Sequence, residues 1–214
     1  MRLFNLTRLN PLGLAQFDGE RNTTTETLVV FFGDSRARSW TAPALPRATF
    51  ANRGIDGQTS RQCLLRFDEH VAPLAPDLVI LQVGINDLAA IASLPQERDA
   101  LVEETGDNIA AIVSRARALG AKVIVTTIFP PGRIPLSYRP FWSDEIEAAV
   151  TAVNERVRGM AGEGVVIFDT VPVLAGSDGR ICSQFAADAL HLNGTGYAAL
   201  NEALIPVLEA QVER

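Results

Sequence analysis

Asp188-Ala189-Leu190-His191 stands near the end of a 214-residue chain that has only two histidines. A carboxylate three residues before an imidazole can hold its Nδ1–H and turn Nε2 toward a proton that is to be removed. Three upstream segments offer what such a base would act with: Gly33-Asp34-Ser35, Asn52-Arg53-Gly54-Ile55-Asp56-Gly57 and Gly84-Ile85-Asn86-Asp87. A serine hydroxyl is a poor nucleophile until a base takes its proton. Ser35 is therefore the candidate nucleophile, His191 the base and Asp188 the residue that orients it. The Ser35 N–H, the Gly57 N–H and the Asn86 side-chain amide are the candidate oxyanion donors. Losing one such donor typically costs about 10²–10³ in kcat. Glycine suits position 57 because backbone there must approach a substrate closely and can need positive φ.

Elements must bring these segments together. Five short apolar runs, residues 28–32, 49–51, 78–83, 123–128 and 165–168, read as strands. Four of them lack period-2 alternation, as strands covered on both faces do. Helical patterns over 60–71, 97–119, 143–160 and 196–212 separate or follow them. Gly120 closes one helix, and Ser143 caps another ahead of Asp144, Glu145 and Glu147. Strands alternating with helices indicate βαβ units and a parallel sheet between helical layers. In such a sheet ligands bind beyond the carboxyl ends of the strands, where the order reverses. Ser35, Gly57 and Asn86 follow strands one, two and three, so in the order 2-1-3-4-5 they meet at one crevice.

Composition narrows the class. With 47% hydrophobic and 21% charged residues the chain is an ordinary globular protein. Its net charge of −6, with no basic run, argues against nucleic-acid binding. Cys63 and Cys182 stand far apart and make no disulfide framework or metal motif. No stretch reaches the roughly 18–20 apolar residues of a membrane span. Residues 1–20 lack the continuous apolar core of a signal peptide, so the expected compartment is the cytoplasm. One catalytic domain is expected over residues 27–214. Residues 1–26 are an amino-terminal extension that packs along its edge or is partly mobile.

On these four blocks the chain resembles the SGNH hydrolases, also called GDSL-like lipases and esterases. Gly33-Asp34-Ser35 looks like their nucleophile block, and Asn52-x-Gly54-Ile55-x-Gly57 is similar to the second, with Gly57 and not Gly54 matching the oxyanion glycine. Gly84-x-Asn86-Asp87 and Asp188-x-x-His191 match the third and last. The resemblance implies a flavodoxin-like three-layer α/β/α sandwich with a five-stranded parallel sheet, no metal or cofactor, and hydrolysis of esters or thioesters. Arg36 stands where the family's name has leucine.

The short chain has no inserted lid domain, which favours small acyl groups and points to a serine esterase for acetyl-type esters. Acetylated carbohydrate is the first candidate substrate, a lysophospholipid or thioester the next. Arg36 and Arg38 are candidate contacts for an anionic substrate group, or a helix face. Phe141 and Trp142 are candidate walls of the acyl pocket, or seals of the core beneath a Pro-rich loop. Asp34 and Asp87 are expected to hold loops, His70 to be a solvated or packed side chain, and Asp169 to cap a turn. Two competing readings are a non-catalytic flavin-binding module and a metallohydrolase built from Asp34, Asp87, Asp188 and His191. The loop after strand one lacks a phosphate cradle, and a single histidine without a His-x-His or Asp-x-His pair is a poor metal set.

Overall fold

A computed structural model describes residues 26–212, so all but the last residue of the expected amino-terminal extension lies outside the described residues. Five strands, β1 (Thr27–Gly33), β2 (Ala48–Gly54), β3 (Leu78–Gln82), β4 (Lys122–Thr126) and β5 (Val165–Phe168), form one sheet in the order β2-β1-β3-β4-β5. Every pairing is parallel. The expected strand order is the one found. The helices are α1 (Ser35–Arg38), α2 (Ser60–His70), α3 (Ile85–Ala89), α4 (Arg98–Ala118), α5 (Asp144–Arg158), α6 (Val171–Leu174) and α7 (Gly194–Val212).

Alternate residues of the central strands enter two cores. Val30, Phe32, Val79, Leu81, Val123 and Val125 pack with Cys63, Phe67, Ile112 and Val153 from α2, α4 and α5. Val29, Phe31, Leu78, Ile80 and Ile124 pack on the other face with Trp40 and with Tyr197, Leu200, Leu204 and Leu208 of α7. Because both faces are covered, both sets must be apolar, which is why the sequence shows unbroken hydrophobic runs. Fully burying each large aliphatic side chain is worth about 1.5–3 kcal/mol.

At two places the structure departs from the expected pattern. β2 runs from Ala48 to Gly54, well beyond the three residues expected, because an edge strand tolerates the half-buried Asn52 that masked its pattern. Ser143 does occupy the position before α5, but its side chain makes no capping bond; Asp144, Glu145 and Glu147 fill the first turn instead. By contrast α2 begins with a reciprocal capping box between Thr59 and Gln62. Among the described residues no helix is long and apolar enough to cross a membrane.

Candidate active site

Register levels the ends of the first three strands: Gly33 pairs with Gly54 on one side and with Gln82 on the other. The turns leaving these strands therefore open on the same edge. At β1 the chain passes directly into α1, and Asp34 caps it, its Oδ1 accepting from Arg36 N at 2.9 Å. Ser35 is thus the first residue of a short helix, half-buried, with its hydroxyl at the rim. That hydroxyl lies 2.9 Å from His191 Nε2, across a sequence separation of 156 residues. On the far side of the ring, Nδ1 lies 2.8 Å from Asp188 Oδ2. With Nδ1–H donating to the carboxylate, Nε2 is left as the acceptor for the Ser35 proton.

Asp188 is fixed as well as fixing. Its Oδ1 accepts from Leu190 N at 2.7 Å and His191 N at 2.8 Å. Partial burial pushes its carboxyl up, but the Leu190 N–H, the imidazole and the His191 N–H together hold it below the ordinary carboxylate value. The acceptor toward the ring stays ionised.

The second and third segments meet beside this pair. Asn86 Nδ2 donates to the carbonyl of Gln58, the residue after Gly57, at 2.9 Å, and keeps its other N–H for a different acceptor. Gly57 adopts φ +71 and a Cβ there would meet nothing within 4 Å, so its glycine answers to backbone angle alone. Gly54 answers to space: a Cβ would fall 2.2 Å from Arg38 N. Asn52 ties the two turns together, donating to Ala37 O at 2.9 Å while its Oδ1 accepts from Gly54 N at 2.9 Å.

The carboxylates expected to hold loops do so. Asp87 accepts from Ser60 N and Oγ, anchoring the start of α2. Asp34 is wholly buried, and its Oδ2 has no protein partner among the described residues. Burial accordingly pushes its carboxyl up to about 6 despite the neighbouring Arg36 cation. Asp169 accepts from Val171 N at 3.2 Å and pairs with Arg158. His70 is half-buried beside Arg66, and Cys63 and Cys182 are free thiols. Among the described residues no three His, Cys, Asp or Glu side chains are grouped to hold a metal ion.

The candidate substrate contacts fare differently. Arg36 is 0% exposed. Its guanidinium turns inward over the Phe129 ring, Nε donating to Leu190 O at 2.9 Å and Nη1 to Phe129 O at 3.3 Å. It cannot meet a substrate; it braces the turn that carries His191. Arg38 is exposed and paired with Asp56. Phe141 lies on the surface, 66% exposed, so it does not seal the core. Trp142 is half-buried against the α5 core and donates its indole N–H to Glu147 at 3.1 Å.

One residue behind the site belongs to none of the four motifs. Arg66 on α2, 1% exposed, stacks over Phe32 at 4.3 Å. It donates to Gly33 O and Arg53 O, both at 2.8 Å, and to the Gln58 side chain. One guanidinium thereby joins the ends of β1 and β2 to the turn of Gly57. An arginine on the same helical face as Cys63 and Phe67 was the available signal.

The model of the GDSL-like lipase/acylhydrolase family matches residues 18–199 of this chain. Human platelet-activating factor acetylhydrolase IB subunit alpha2 is 28% identical over 199 residues, covering 86% of this chain and 79% of that protein. A GDSL-like lipase from Bacteroides thetaiotaomicron superposes with a TM-score of 0.68 at 24% identity, covering 97% of both chains. An acetyl xylan esterase from Geobacillus stearothermophilus does so with a TM-score of 0.63 at 20% identity, covering 84% of this chain and 93% of that one.

Proposed function

The chain belongs to the GDSL-like lipase/acylhydrolase family, and from that premise we propose that it is a serine esterase acting on short, acetyl-type esters. The observation that carries the reading is the continuous relay Asp188–His191–Ser35, with contacts of 2.8 and 2.9 Å. In the proposed reaction His191 Nε2 takes the Ser35 proton as Oγ attacks the ester carbonyl. Ser35 N–H, Gly57 N–H and the free Asn86 N–H receive the oxyanion. His191 then returns the proton to the departing alcohol, leaving an acyl-enzyme. A water, deprotonated by the same ring, releases the acid and restores Ser35. One catalytic domain over residues 27–214 carries every group involved.

The acetyl preference draws support from two likenesses of different kinds: both the similar acetylhydrolase subunit and the structurally similar xylan esterase are named for acetyl groups. Acetylated carbohydrate remains the first substrate class, with lysophospholipid and thioester hydrolysis as alternatives for the same site. The test is turnover of p-nitrophenyl acetate by the intact protein and by Ser35→Ala. The variant is expected to lose about 10³-fold or more in kcat. Undiminished turnover in that variant would end the reading. A ladder of acyl chain lengths then fixes the acyl preference, with rates expected to fall beyond butyryl.

A further inference from the structure

Arg36 is buried and Arg38 is paired with Asp56, whereas another group of arginines borders open space. A cavity of about 480 Å³ lies over the loop after β4, bordered by Arg133, Arg139, Arg180, Trp142, Asp144 and Glu147. Volumes of roughly 300–1,000 Å³ are those of small-ligand sites. The cavity adjoins the turn of the proposed base. Arg133 follows Gly132, whose N–H donates to Ala189 O at 2.8 Å. A Cβ on Gly132 would lie 2.8 Å from Asp188 O, so the two loops touch through backbone. Arg180 braces the same corner, donating to Gly132 O at 3.1 Å and to Glu147 at 2.7 Å.

That last contact decides the charge of the cavity. Glu147 neutralises Arg180, and Asp144 is the one further carboxylate on the rim. Arg133 and Arg139 are exposed, and their guanidinium groups have no hydrogen bond or ion pair among the described residues. A local excess of guanidinium on a molecule of net charge −6 is a place that favours an anion. The indole N–H of Trp142 is already engaged by Glu147, which leaves the ring as an apolar wall.

No residue of the relay or of the proposed oxyanion donors borders the cavity, so a group held there belongs to a part of the substrate away from the reacting carbonyl. We propose that this cavity receives an anionic group, a phosphate or a carboxylate, on the alcohol portion of the ester, held by Arg133 and Arg139. The proposal rests on the esterase reading. It extends that reading by making charge on the leaving alcohol a determinant of specificity.

The test compares acetyl esters of a neutral methyl glycoside, of glucuronate and of glycerol phosphate, using the intact protein and an Arg133→Ala/Arg139→Ala variant at low and high salt. The intact protein is expected to favour one anionic ester over the neutral one by about tenfold or more in kcat/KM, mainly through KM. Salt should erode that preference, and the double variant should lose it. The preferred ester distinguishes phosphate from carboxylate. No anionic preference in the intact protein, or a preference that survives in the variant, overturns the proposal. Failure on every ester, p-nitrophenyl acetate included, sinks the esterase reading instead. Calorimetric titration of glucuronate and glycerol phosphate into Ser35→Ala, with and without the arginine changes, then judges the cavity alone. Binding lost with the arginines supports it, and no binding overturns it.

Discussion

Arg36 follows the proposed nucleophile directly, yet it acts on the other end of the relay. Its donors hold the carbonyl of Leu190, the residue before His191, and that of Phe129. Removing the guanidinium leaves buried carbonyls without donors, at about 1–3 kcal/mol each. We therefore expect Arg36→Met to melt earlier and to lower kcat while KM holds, because the base is displaced and the substrate contacts are not. A fall in KM affinity with kcat preserved would contradict this role. Asp34, beside it, makes a prediction about pH. Its carboxyl stands at 3.8 when unfolded and about 6 when folded, so the folded protein holds the proton more tightly. Its favourable contribution is complete below about pH 4 and is lost as pH rises through about 6. Asp34→Asn should flatten that part of the stability profile, so that the variant gains on the parent between pH 4 and 7. Melting temperatures across that range check the sign.

At the level of elements, the two glycines after β2 separate folding from chemistry. Gly54→Ala drives a methyl against the α1 backbone at 2.2 Å, and the protein is expected to lose most of its stability. Gly57→Ala meets no atom and pays only for φ +71, about 1–2 kcal/mol. Its larger effect should be on kcat, as the turn relaxes and moves the N–H. Melting curves and kcat on the same ester for both variants test the contrast. These turns were readable in advance because block spacing and strand ends both marked them. The strands and long helices were readable too, since burial on two faces or one leaves a clear pattern. Arg36 was not. A four-residue helix has no period from which to infer a face, and a cation one step from a serine reads as surface charge. The exposure of Phe141 was not legible for the converse reason: an aromatic in a Pro-rich loop has no period that tells inside from outside. The arginines of the cavity lie on that same loop and on the segment after α6, with no spacing rule to join them.

Across the whole molecule the relay links the first turn after β1 to the turn just before α7. Leu204, 0% exposed on α7, anchors that helix to the sheet. Leu204→Ala is expected to cost about 2–5 kcal/mol. If the base depends on this anchorage, loss of activity and loss of far-ultraviolet ellipticity should shift to the same lower temperature. Activity that outlasts the helix signal would disprove the dependence. The separation of 156 residues between Ser35 and His191 has a further consequence during synthesis. Ribosomes add about 5–20 residues per second, so Ser35 emerges roughly 8–30 s before the histidine proposed to activate it. Through that interval the nascent chain holds the Ser35 hydroxyl without its relay partner, so the proposed site cannot be assembled before His191 has been made.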